Sequence, residues 1–153
     1  MATPFATFIE SAWSDHADRP QEVADRLAGA LPQVATPDDI AAFARLATHV
    51  YGEHLGQWQR GIALLEALRA VAPPGSHDAA DLPVARGIAT LRYAAGEPHA
   101  LGDLGAEDRV MVLATAAAAL AGRDEFTPAL GAFAHALQVA ETGLPAGSPA
   151  LRS

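Results

Sequence analysis

The stretch Gly56-Gln57-Trp58-Gln59-Arg60-Gly61-Ile62-Ala63-Leu64-Leu65-Glu66-Ala67-Leu68 sets Trp58, Gly61, Leu65 and Leu68 at intervals of three, four and three residues. That spacing keeps all four side chains on one side of an α-helix and rules out the two-residue alternation of a strand. A second stretch repeats the intervals: Phe126, Ala129, Phe133 and Ala136, 68 residues further on. In both, an aromatic is followed by a small residue and then a large apolar one, as expected where helices cross closely.

Working outward, helical periodicity extends over nearly the whole chain. Pro4 to Asp15 carries Phe5, Phe8, Ile9 and Trp13 on one face, and residues 21–34 carry Val23, Leu27, Ala30 and Leu31. Thr36-Pro37-Asp38-Asp39 is a helix start: threonine can accept from the free amides, proline suits the first turn, and the aspartates favour the positive end of the dipole. The helix that follows carries Ile40, Phe43, Leu46, Ala47, Val50 and Tyr51 and is predicted to end within residues 52–56. A fourth helix is predicted over residues 57–72, stopped by Pro73-Pro74-Gly75, and a fifth starts at Ser76 or Asp81 and closes at Gly96-Glu97-Pro98. Residues 99–104 allow a turn or two, and the last helices are expected over residues 106–121 and 126–142. With no alternating stretch, the class is all-α, about seven helices in antiparallel hairpins. Residues 1–143 read as a single domain and residues 144–153, rich in proline, glycine and serine, as a flexible tail.

Composition narrows the function. Half of the residues are hydrophobic but few are aromatic, and the net charge is −8 with arginine supplying every basic side chain. Such an acidic balance argues against a nucleic-acid partner, which would call for a basic stripe. The absence of cysteine excludes disulfides and thiolate chemistry, and fits a reducing, cytoplasmic setting. Met1-Ala2-Thr3-Pro4-Phe5 lacks the basic and apolar regions of a leader, and no apolar run reaches a membrane-spanning length, so neither targeting nor membrane insertion is expected.

The matched intervals resemble a degenerate tetratricopeptide (TPR) repeat, whose period of roughly 34 residues is half the observed separation. In that family the second helix of each pair opens with an aromatic and continues small, large, small. Gly61 and Leu65 agree with this, Leu68 is larger than the pattern, and Ala129, Phe133 and Ala136 agree; Gly56 resembles the inter-helix turn glycine and Pro73 the closing proline. The resemblance spans residues 38–142, with a stunted second helix at residues 96–104. It implies a superhelix whose concave face, lined by the first helix of each pair, grips a protein or peptide. By helical phase the partner-binding residues are then Arg45, Thr48 and Tyr51, Arg86, Thr90 and Tyr93, and Arg109. Arginine and tyrosine together suit a segment bearing carboxylates. The chaperone-tail carboxylate clamp of that family is not expected, because its lysine and asparagine donors are absent.

The expected function is a non-catalytic adaptor or scaffold. A second reading is a small helical enzyme or ligand-binding bundle with a pocket of His49, His54, Tyr51 and a distant carboxylate, and a third is an oligomerising subunit. The carboxylate pairs Asp38-Asp39, Glu107-Asp108 and Asp124-Glu125 stand at helix starts or turns, where the dipole accounts for them. No nucleophile elbow or phosphate loop is present, and no catalytic residue or cofactor is expected. His49 and His54 are five apart, which on a regular α-helix separates them by about 140°. No metal site is expected on that spacing.

Overall fold

The computed structural model describes residues 4–72, 77–102 and 104–143. The stop at residues 73–75 and the tail at residues 144–153 lie outside the described residues. Within them the chain forms seven α-helices and no strand: α1 Pro4–Asp15, α2 Pro20–Ala30, α3 Pro37–His49, α4 Trp58–Ala70, α5 His77–Ala94, α6 Ala106–Gly122 and α7 Phe126–Gly143. Short 3-10 turns follow α2 at Leu31–Gln33 and precede α6 at Pro98–Leu101.

The start of α3 is built as its residues dictate. Thr36 accepts from the Asp39 amide and Asp39 returns a bond to the Thr36 amide, with Pro37 in the first turn. α5 takes the earlier of its two possible starts, so Pro83 falls inside it.

Glycines record how the helices cross. A Cβ on Gly61 would lie 2.8 Å from Tyr51 Cβ and 2.6 Å from Leu91 Cδ1, and one on Gly87 would lie 2.5 Å from Thr48 Oγ1 and 3.0 Å from Leu65 Cδ1. Gly61 against Leu91 and Leu65 against Gly87 make α4 antiparallel to α5. Thr48 beside Gly87 and Gly52 beside Leu91 show α3 and α5 running the same way. α6 joins them, with Asp108 paired to Arg86 and Ala119 against Gly52. α3, α5 and α6 therefore lie side by side as a parallel layer. α7 folds back on α6, so that Gly143 meets Ala106.

The main core fills the space between α1 and α5 with Phe43, Leu27, Ile40, Leu46, Leu65, Leu68 and Leu91. A smaller cluster around Ala89, Leu101, Val112, Leu113 and Ala136 joins α5, α6 and α7.

One expectation fails in α7. Phe126 and Phe133, expected between helices, are 59% and 45% exposed, and Leu130 and Leu137 share their outward face. The buried side of α7 is Ala129, Ala132, Ala136 and Ala140, and Ala136 clusters with Val112 and Leu113 of α6. Alanine along α7 lets the two backbones come close, which leaves its large side chains on the outward face. Trp58, the other anchor of the repeat reading, is half-buried and packs against the main core.

Candidate functional site

The layer of α3, α5 and α6 encloses a cleft of about 440 Å3. Ala44, Arg45 and Thr48 come from α3, Arg86, Gly87 and Thr90 from α5, and Met111, Thr115 and Ala118 from α6, with Trp13, His49 and Glu53 closing one end. Gly87 matters here because its missing side chain lets α3 and α5 meet at Thr48 and form the floor.

Four of the seven residues picked by helical phase stand in this cleft: Arg45, Thr48, Arg86 and Thr90. The Thr48 hydroxyl donates to the Ala44 carbonyl at 2.7 Å and that of Thr90 to the Arg86 carbonyl at 2.8 Å. Arg86 is neutralised by Asp108, its Nε donating to Oδ1 at 2.8 Å and its Nη2 to the same oxygen. Arg45 is exposed and, among the described residues, has neither hydrogen-bond nor ion-pair partner. It is a cation without an ion-pair partner at a mainly apolar cavity.

The other three do not reach the cleft. Tyr51 is buried against α2, its hydroxyl donating to the Ala24 carbonyl at 3.1 Å. Tyr93 meets His135 of α7, with its hydroxyl 3.3 Å from Nδ1. Arg109 donates to the Leu104 carbonyl at 2.8 Å and the Gly102 carbonyl at 3.1 Å, fastening the approach to α6. The cleft face of α6 runs through Asp108, Met111, Thr115 and Ala118, and Arg109 sits out of phase with it. Met111 is thus a wall residue that the sequence reading missed.

Tyr51 falls beside the face of α3 that buries Ile40, Phe43 and Ala47. After His49 the helix widens into a π turn, Val50–His54, in which the Leu55 amide donates to the Val50 carbonyl. A turn that closes over five residues stacks side chains five apart. His49 and His54 are accordingly superposed, not splayed by 140°, and their Nε2 atoms lie 3.2 Å apart. The turn ends at Gly56 with φ +62°, a left-handed conformation that glycine adopts without strain.

His16, just beyond α1, completes a cluster that the sequence reading left scattered. Its ring centroid lies 5.1 Å from that of His49 and 5.0 Å from that of His54. One ligand atom from each of the three falls within 4.8 Å of the others. Trp13 packs edge-on to His16 and tilted against His49. His16 Nδ1 bonds the Trp13 carbonyl, and His49 Nδ1 lies 3.1 Å from Glu53 Oε2. Burial lowers the His49 pKa from its ordinary value, opposed by Glu53 and reinforced by His54 and His16.

Fold and site together define an all-α domain of packed helical hairpins, with an open cleft on its layer of α3, α5 and α6 and a histidine cluster at the cleft's end. In comparisons with family models, curated proteins and solved structures, the chain matches none. Among the described residues, no helix is long and apolar enough to cross a membrane.

Proposed function

We propose that the protein is a non-catalytic binding module of TPR-like type, an adaptor that holds a short acidic and partly apolar segment of a partner protein or peptide in the cleft of α3, α5 and α6. The observation that carries this reading is the unpaired Arg45 at a cavity walled by Ala44, Ala118, Met111 and threonines. A guanidinium without a partner accepts a carboxylate in a bidentate fork, and an apolar wall with one methionine adapts to the side chain beside it. A cavity of about 440 Å3 takes a few residues of a peptide, not a whole helix. Cytoplasmic residence is part of this proposal, in keeping with the absence of cysteine.

Trp13 at the end of the cleft supplies the test. In a Trp58→Phe background, peptides pairing a glutamate or aspartate with an apolar neighbour should shift Trp13 emission saturably. Arg45→Ala should weaken that binding about tenfold, in line with the loss of one exposed charge-assisted bond. A signal that does not saturate, or an affinity unchanged by Arg45→Ala, refutes the reading.

A second reading, a ligand-binding bundle, is favoured by His49 and Glu53 in the cleft wall. The same titration with small carboxylic acids in place of peptides separates the two.

A further inference from the structure

We propose that His16, His49 and His54 form a binding site for one divalent transition-metal ion of the zinc class. Two of the three nitrogens already stand as ligands of such an ion would: zinc–nitrogen bonds of about 2.0–2.1 Å in a tetrahedron require nitrogens roughly 3.3 Å apart, and Nε2 of His49 and Nε2 of His54 are 3.2 Å apart. The third ring lies within 4.8 Å by its ligand atom, from a separate helix end, so a small approach of His16 closes the set.

The outer contacts are those that metal-bound imidazoles use. His49 turns Nδ1 to the Glu53 carboxylate and His16 turns Nδ1 to the Trp13 carbonyl. Each bond holds the proton on Nδ1 and leaves the Nε2 lone pair for an ion, while fixing the ring plane.

The ligand set is specific about the class of ion. Three neutral nitrogens suit zinc, cobalt, nickel or copper, and are poor ligands for calcium or magnesium, which demand oxygen. With three protein ligands, a tetrahedral ion keeps a fourth position. Because His49 also borders the cleft, that position is open to water or to a carboxylate held there. This last point rests on the cleft reading; the metal site does not.

Calorimetric titration of the full chain, stripped by chelator and with no peptide present, tests the site. One zinc ion should bind per chain, and X-ray absorption of the zinc-loaded wild type should show three imidazole nitrogens at about 2.0 Å. His49→Gln and His54→Gln should each lower the affinity at least 100-fold, Glu53→Gln about tenfold as a positioning change, and the remote His99→Gln not at all. Cobalt loading should give the visible absorption of a tetrahedral site, while magnesium should not compete. No zinc uptake at about 100 μM, a first shell of oxygens in the wild type, or wild-type affinity in folded His49→Gln and His54→Gln would each overturn the assignment. Peptide binding to the stripped protein reports on the cleft separately, so either conclusion can fail without the other.

Discussion

The phenol of Tyr51 is buried with its hydroxyl on the Ala24 carbonyl, which joins α2 to the π turn. Removing the hydroxyl leaves that carbonyl without this donor, so Tyr51→Phe should cost about 1–2 kcal/mol by urea denaturation at neutral pH. Burial, chiefly, and the nearby Asp25 raise the Tyr51 pKa, with Arg60 opposing them. A raised value in the folded state means that the stabilisation is complete below the ordinary tyrosine pKa of about 10 and is lost as pH climbs through the folded value. Wild type should therefore lose stability above about pH 10 more steeply than Tyr51→Phe, and parallel stability curves there would contradict the assignment. The spacing of Tyr51 fits both the apolar face with Ile40, Phe43 and Ala47 and the cleft beside Thr48, and the structure puts it on the first. His16 was hidden, because its neighbours come from a helix some thirty residues away and not from its own turn.

At the scale of the element, the decisive features are close crossings and one irregular turn. Gly61 lets α4 rest on Tyr51 and Leu91, and its role could be read from the small residue at the centre of Trp58, Gly61, Leu65 and Leu68. A methyl group at Gly61 meets Tyr51 Cβ at 2.8 Å, an atom tied to the backbone. The overpacking cost of about 1–3 kcal/mol exceeds the gain of about 1 kcal/mol from alanine's helix propensity. Gly61→Ala should lower stability by roughly 1 kcal/mol, whereas Gly29→Ala, with open space around it, should raise it by helix propensity alone. Equal effects at the two sites would show that the crossing is looser than drawn. The boundaries of α1, α3, α6 and α7 were legible because threonine, proline and glycine caps act locally. The π turn was not, since nothing in Val50-Tyr51-Gly52-Glu53-His54 requires five-residue closure; it arises where Gly52 is pressed against Leu91 and Ala119. That turn concealed the histidine pair, while Arg45, Thr48, Arg86 and Thr90, on regular helix, lie in the cleft.

For the whole molecule the question is what α7 contributes. It is apolar on two faces: Ala129, Ala132, Ala136 and Ala140 on one, Phe126, Leu130, Phe133 and Leu137 on the other. Side-chain size alone selects the second as the core face, as a sequence reading does. Backbone approach selects the first, because Val112 and Leu113 of α6, clustered with Ala136, fill the seam and leave room for small side chains on α7. Among the described residues, α7 carries phenylalanine and leucine on its outward face. The assignment predicts an inverted mutational pattern. Phe133→Ser with Leu137→Gln, large losses of apolar volume, should change the unfolding free energy by no more than about 1 kcal/mol, because both are exposed, at 45% and 63%. Ala132→Leu, a gain of apolar volume at a fully buried position, should cost about 1–3 kcal/mol by forcing α6 and α7 apart. Urea denaturation of the two variants beside wild type decides the matter. A double variant weakened by more than about 2 kcal/mol, with Ala132→Leu tolerated, would mean that the phenylalanines and not the alanines face the rest of the chain, and that α7 is rotated by about a quarter turn from the position described.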